Sequence, residues 1–234
     1  MLISSLLNQV LVTGGIFWVI SLLSQPTISG LAALFFWQYV SIPLSKISAD
    51  IWEESTSGAF EQMYLHANHP VFVLIVRLTN YLAQQTVFAV PSFFLMAFLF
   101  GFTFDDLAQY NWGGLLLTLI VTLIGFVGLG LAVGGVLLIY RNAIGYTSAL
   151  EYLLLFMGGT VIPLSQLPSF LQPVAVWLPL SLGVETLRRF ETGTGWENTF
   201  WLLVVQSAVM LLVGFVLFNV CLSRALQRGF AMSR

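Results

Sequence analysis

The spacing of the charged residues constrains this chain more than any other feature of its sequence. Positions 1–45 carry no charge, and further uncharged stretches cover 78–104, 107–140, 152–184 and 198–223. A helix needs about 20 mostly apolar residues to cross a bilayer, so every stretch can hold one span and the first can hold two. Only 8% of the residues are charged and 58% are hydrophobic, which leaves too little polar surface for a soluble fold. We therefore expect an integral membrane protein.

The apolar stretches predict an all-α integral membrane fold with six transmembrane helices in one domain, 1–234. A turn at Ser24-Gln25-Pro26-Thr27 divides the first stretch. Met1 is followed at once by apolar residues without the basic region of a signal peptide, so we expect the first helix to be retained. The predicted spans are about 3–23, 29–48, 73–100, 113–140, 146–165 and 197–222.

The segment 166–195 is apolar but rich in proline. Prolines at 163, 168, 173 and 179 divide it into pieces too short to cross. We expect short interfacial or re-entrant helices on the outer face.

Lys and Arg in the short loops predict the orientation, because cytoplasmic loops are enriched in them. With both termini in the cytoplasm, only Arg188 and Arg189 lie outside. The six basic residues then placed inside are Lys46, Arg77, Arg141, Arg224, Arg228 and Arg234. We therefore expect both ends to be cytoplasmic.

No enzyme active site is visible in the sequence. Lys46 is not part of a G-x-x-x-x-G-K-[ST] motif, so the chain lacks a P-loop. His66 and His69 share one polar loop with no second ligand cluster, which favours solvated histidines over a metal site. No basic patch suggests a nucleic-acid partner.

Glu151 is the acidic residue placed nearest to the interior of a predicted span. An ion-driven transporter would need such a carboxylate. The simpler interpretation is an interfacial residue that pairs with Arg141 or with a partner chain.

The large cytoplasmic loop, from Ala49 to about Phe72, contains a predicted amphipathic helix. Phe60, Met63, Tyr64 and Ala67 follow i, i+3, i+4, i+7 spacing, and Pro70 ends the segment. Such a helix either fills the membrane surface or docks on a partner.

Two motifs resemble type-2 ABC transporter permeases. Glu54-x-x-x-Gly58-x-x-Glu61-Gln62-Met63, between the second and third spans, is similar to the E-x-x-x-G-T-L-E-x-L-like run of their cytoplasmic loop. The second motif begins at Gly158-Gly159-Thr160-Val161-Ile162-Pro163 and continues through Trp177-Leu178-Pro179 to Glu185 and Arg188, and it looks like the family's outer half-helices. Ala59 stands where the family commonly has Thr, Pro70 lies later than usual, and no basic amphipathic helix precedes the first span.

The resemblance implies a non-catalytic permease subunit of an ATP-driven exporter. It would pair with a second permease chain and with two copies of a separate ATP-binding subunit, which would carry ATP and Mg²⁺; the chain itself would hold no cofactor. A coupling helix at about 58–68 would dock on that subunit. Its contact residues would be Glu54, Gly58, Phe60, Glu61, Met63 and Tyr64.

The sequence leaves the roles of several residues open. Asn80, Gln84 and Gln85 line the pathway or satisfy one another across helices. Gly130-x-x-x-Gly134 permits close helix packing, either within the chain or between two chains. For the outer half-helices the resemblance implies Pro163, Pro168, Pro179, Glu185 and Arg188, with Arg188 and Arg189 expected at lipid headgroups rather than at substrate.

Two other functions compete with the exporter. One is an ATP-independent secondary transporter or channel that uses Glu151, and the other is a haem-delivery assembly subunit. The scarcity of charge in the spans favours an amphipathic or lipid-like substrate. The localisation expected is the plasma membrane, of the bacterial inner-membrane type.

Overall fold

The computed structural model describes residues 2–23, 27–57, 70–140, 144–161, 164, 167–193 and 195–228, and these residues are mostly helical. The helices in chain order are α1 (Leu2–Leu23), α2 (Ile28–Ser57), α3 (Pro70–Leu99), α4 (Phe104–Gln109), α5 (Trp112–Ile139), α6 (Gly145–Met157), α7 (Gln172–Val176), α8 (Pro179–Thr192) and α9 (Trp196–Arg228). The predicted all-α class is confirmed for this part of the chain.

Four of these helices are long and apolar enough to cross a membrane, judged by length and composition within the described ranges. They are the segments Ile28–Ser57, Val71–Leu99, Trp112–Ile139 and Trp196–Gln227. α1 has 22 residues, and a shorter apolar stretch, Val10–Leu22, lies within it. The chain is therefore a multi-pass membrane protein, and the count of six spans stays a prediction.

Helix α5 lies at the centre of the bundle and packs through its glycines. A Cβ added to Gly128 would lie 2.6 Å from Leu211 Cα of α9, and one added to Gly214 would lie 2.7 Å from Gly128 Cα. On another face, a Cβ on Gly130 would lie 2.9 Å from the Pro43 carbonyl carbon of α2. We call these contacts of α5 with α2 and α9 the glycine seam. Of the two interpretations of the glycine stripe, the structure supports close packing within one chain.

The single cysteine lies in the glycine seam beside Gly135, near the C-terminal end of α5. A Cβ on Gly135 would lie 2.9 Å from Phe218 Cα and 3.4 Å from Cys221 Cβ. Cys221 is a buried free thiol on α9.

Helix α2 is longer than the sequence predicted. The second span was expected to end at 48, but α2 continues to Ser57. The hydroxyls of Ser55 and Thr56 both donate to the Trp52 carbonyl at 2.9 Å, as Ser and Thr do inside helices. Glu54 therefore lies on the last turns of α2 rather than in a loop. The predicted coupling helix at 58–68 lies outside the described residues.

Helix α6 is shorter than predicted, ending at Met157 rather than at 165. Two glycines follow, and Gly159 has φ of 74°, a left-handed conformation that suits glycine at the end of a helix. Side chains of α8 donate hydrogen bonds to the backbone carbonyl groups at the end of α6. Ser181 donates to the Met157 carbonyl at 3.2 Å and Arg188 Nη2 donates to the Gly159 carbonyl at 2.7 Å.

Two short helices, α7 and α8, lie within the proline-rich segment 166–195, and its place on the outer face stays a prediction. Pro179 stands at the first helical turn of α8, where a missing N–H costs nothing. Most of the N-terminal half of α8 is buried, and Gln206 of α9 donates to the Val176 carbonyl of α7 at 3.1 Å. Both helices are thus held against the bundle.

The sequence did not predict helix α4. Thr103 and Asp106 form a reciprocal capping box at its start. Hydrogen bonds from the Thr103 hydroxyl and backbone N–H lower the pKa of the Asp106 carboxyl.

Candidate functional site

Polar side chains join α1, α2 and α3 near the middle of each helix. Gln85 Nε2 of α3 donates to Gln38 Oε1 of α2 at 3.1 Å, and Gln38 Nε2 donates to Thr13 Oγ1 of α1. On the other side of the same helix pair, the Tyr39 hydroxyl donates to Thr86 Oγ1 at 3.0 Å. Inside a membrane such bonds hold helices together because the groups have little water to bond instead.

A charged cluster joins the ends of α2 and α3 beside the 58–69 segment. Arg77 forms an ion pair with Glu54 and lies 3.9 Å from Asp50 Oδ2. The Tyr81 hydroxyl donates to Asp50 Oδ1 at 3.1 Å. Lys46 Nζ lies 5.3 Å from the centre of the Tyr81 ring, within the range of a cation–π contact. We call the whole α2–α3 contact, from Gln38 to Glu54, the polar seam.

Two cavities lie along the polar seam and share Tyr81. The larger of the two, about 520 Å³, is called here the polar cavity; it is lined by Val12, Thr13, Trp37, Gln38, Ser41, Ile42, Lys46, Tyr81, Gln84, Gln85 and Phe88. The second, about 460 Å³, is called here the acidic cavity; it is lined by Asp50, Glu53, Glu54, Ser57, Arg77, Asn80 and Tyr81. The polar cavity has a volume typical of small-molecule sites.

The three predicted pathway residues separate between these cavities. Gln84 and Gln85 line the polar cavity, and Asn80 lines the acidic cavity. The position of Gln85 is consistent with a residue that lines the pathway and with one that bonds across helices, since it bonds to Gln38 and also lines a cavity.

The predicted coupling residues are only partly described. Glu54 contacts Arg77 of its own chain. Gly58, Phe60, Glu61, Met63 and Tyr64 lie outside the described residues. Their role stays a prediction.

The predicted outer residues belong to the packing of α7 and α8. Pro168 accepts a hydrogen bond from the Leu171 N–H at 2.8 Å, and a Cβ on Gly125 would lie 2.8 Å from Pro179 Cγ. Glu185 pairs with Arg189 at 3.0 Å. Arg188 caps the end of α6 within the chain, a contact that the expected headgroup role did not include. Pro163 lies outside the described residues.

Glu151 of α6 faces α2 rather than open solvent. Ser45 contributes a side-chain hydrogen bond to it and Lys46 interacts with it electrostatically. Its Oε1 atom is buried without a hydrogen-bond partner among the described residues. Arg141, the partner considered from the sequence, lies outside them. No cluster of three His, Cys, Asp or Glu side chains able to hold a metal occurs in the described part of the chain.

Sequence reasoning missed most of the polar seam. Thr13, Gln38 and Tyr39 are single polar residues in uncharged spans. Lys46, Asp50 and Glu54 are spaced by four residues, as are Arg77 and Tyr81. This spacing places each set on one helical face, and it would have indicated the cluster had α2 been extended past 48.

The sequence profile of the ABC-2 family transporter proteins matches residues 19–223. This chain belongs to the ABC-2 transporter family. The predicted family is confirmed, and with it a membrane component of an ABC transporter, a permease. ABC-2 permeases associate in general with an ATP-binding subunit. Comparisons with curated proteins and with solved structures gave no match.

Proposed function

We propose that this ABC-2 permease is the membrane subunit of an ATP-driven exporter and forms half of its translocation pathway. A second permease chain completes the pathway. Two copies of a separate ATP-binding subunit bind ATP and Mg²⁺, and the chain itself needs no cofactor. Family membership and the cavities along the polar seam support this function.

The observation that carries the proposal is the position of the charged cluster. α2 ends at Ser57 and α3 begins at Pro70, so both helices lead directly into the predicted coupling segment. The Arg77–Glu54 and Tyr81–Asp50 contacts join them within about three turns of that segment. A partner that moves the segment would therefore move the ends of α2 and α3 relative to each other. The cavities lie between these helices, and small sliding motions of packed helices are a common way to change such a site.

The proposed topology has six crossings with both termini in the cytoplasm of a bacterial-type plasma membrane. α1 and α6 add two crossings to the four long helices. α6 alone is too short to cross, since 13 residues span about 20 Å. Buried backbone at Gly158, Gly159 and Thr160 would continue the crossing, because non-helical backbone is tolerated in a membrane where protein covers it. α7 and α8 would be the outer half-helices.

Purification of the intact transporter from its native membrane tests the function. We expect a P-loop ATPase to copurify in near-stoichiometric amount, as identified by mass spectrometry. Phe60→Ala and Glu61→Arg should remove most of it, because a few buried anchors dominate such interfaces.

Phe72→Ala is the matched control, since Phe72 is an aromatic residue of α3 that is 69% exposed and lies outside the predicted coupling helix. It should retain the ATPase. If neither coupling variant loses the ATPase, the role of 58–68 is wrong. If no ATPase is recovered under several gentle conditions, an ATP-independent transporter with Glu151 at its ion site becomes the better hypothesis.

A further inference from the structure

The polar cavity combines hydrogen-bond donors with a positive charge and lacks acidic side chains. Lys46 lines it, and no ion pair of Lys46 occurs within the described residues. Gln84 lines the same cavity, is exposed and carries an amide N–H donor. A ligand that fits this cavity therefore brings acceptor atoms and negative charge.

The groups near Lys46 come from its own helix and from two others. Asp50 lies one turn further along the same face of α2. Glu151 of α6 interacts with it electrostatically but lies beyond ion-pair distance. The Tyr81 ring of α3 stacks against it. Lys46 itself is exposed, so its ammonium group can reach an anion.

With the hydrocarbon core taken to begin at Ile28, the cavity would extend from the bilayer interior to the opposite interface. At 1.5 Å per residue, Gln38 lies about 15 Å and Lys46 about 27 Å from Ile28 at the start of α2. The hydrocarbon core is about 30 Å thick. Lys46 thus lies near headgroup depth, while Gln38 and Gln85 lie near the middle.

The adjacent acidic cavity disfavours entry of a soluble anion from the aqueous side. Asp50, Glu53 and Glu54 line it, with Arg77 as the basic residue among its lining. Tyr81, bonded to Asp50, separates the two cavities. An anion carried in the membrane would avoid this acidic surface if it reached Lys46 from the lipid.

We propose that the polar cavity binds an acidic amphiphile of the inner leaflet. Its phosphate or carboxylate group contacts Lys46, and acceptor groups behind the head, such as ester or amide carbonyls, lie beside Gln84 and Gln85. This inference rests on the proposed permease function and names the ligand class of its pathway.

Lipid titration of the purified transporter, followed by native mass spectrometry, tests the proposal. The probes are dioleoyl phosphatidylglycerol and dioleoyl phosphatidylcholine, which share their acyl chains and differ in net charge. We expect the wild type to prefer phosphatidylglycerol about fivefold, the effect typical of one basic residue facing an anionic lipid. Lys46→Gln should abolish the preference and Lys46→Arg should restore it.

Two further variants separate a specific site from diffuse attraction. Arg224→Gln removes an exposed cation of α9 outside the cavity and should keep the preference. Gln84→Leu changes no charge but should weaken phosphatidylglycerol binding several-fold, because it removes a hydrogen bond to the ligand.

Equal phosphatidylglycerol binding by wild type and Lys46→Gln would overturn the proposal, as would an equal loss in Arg224→Gln. Soluble glycerol phosphate serves as the competitor. If glycerol phosphate displaces phosphatidylglycerol efficiently, the ligand is a free anion and the proposed amphiphile is wrong. These readouts measure binding, so they are independent of ATPase copurification: an ATPase recovered without lipid preference refutes this inference alone, and lipid preference without an ATPase refutes the exporter function alone.

Discussion

The glycine seam and the polar seam join the same helix, α2, to its neighbours in opposite ways. At the glycine seam, a methyl group at Gly130 of α5 would overlap the backbone of α2 at Pro43, and one at Gly128 would overlap the backbone of α9. At the polar seam, α2 and α3 are held by separated side-chain bonds, with cavities of about 520 and 460 Å³ between them.

The difference indicates where the bundle can move. Backbone contact leaves no room to slide, since packed interiors resist deformation. Side-chain bonds can be exchanged one at a time, and cavities leave space for displacement. We therefore expect α2, α5 and α9 to act as a rigid unit and α3 to shift against it.

The largest expected effect is at the glycine seam. Gly214→Ala should destabilise the protein by ~3 kcal/mol or more, because backbone atoms of Gly128 cannot move aside for the new methyl group. Thermal unfolding in detergent measures the loss. Gly15→Ala is the matched control, a helical glycine with no atom within 4 Å of an added Cβ, and it should be neutral or slightly stabilising. If both variants were equally stable, the glycine seam would not be more tightly packed than the rest of the bundle.

An intermediate effect is expected from Arg77→Gln at the charged end of the polar seam. Its side chain is 41% exposed, so the loss of stability should stay near ~1 kcal/mol. ATP-driven transport in proteoliposomes should nevertheless fall sharply, because α2 and α3 are no longer tied beside the coupling segment.

Arg189→Gln controls for this change. Arg189 is equally exposed and pairs with Glu185 within α8, so its loss should have a similar small effect on stability and leave transport largely intact. A matching transport defect in both variants would contradict a special role for Arg77.

The smallest effect on stability is expected from Gln85→Leu, about 0.6 kcal/mol for one interhelical bond in a membrane. Transport should fall in this variant because Gln85 lines the polar cavity. Thr86→Val removes the neighbouring bond to Tyr39, which lies outside that cavity. Thr86→Val should have the same unfolding temperature as Gln85→Leu and retain transport. Identical transport rates in the two variants would contradict a role of the polar cavity in transport.

The sequence predicted the class of fold and the positions of the long helices, because uncharged stretches of about 20 residues have few alternatives. It misplaced the end of α2, since nothing between 49 and 57 breaks a helix and polarity alone suggested a loop. It also overextended α6, because apolar residues continue past Gly159, whose left-handed backbone ends the helix. The seam itself could not be derived, as Thr13, Gln38 and Gln85 meet only when three distant segments are assembled.

The positions of the single lysine and the single cysteine make each seam chemically addressable without mutation. Lys46 lines the polar cavity, and Cys221 is buried beside Gly135 in the glycine seam. An amine reagent that spares the N-terminus therefore reports on the polar cavity, and a thiol reagent reports on the separation of α5 from α9. The native chain thus contains two orthogonal labelling sites, one at the contact of α2 with α3 and one at the contact of α5 with α9.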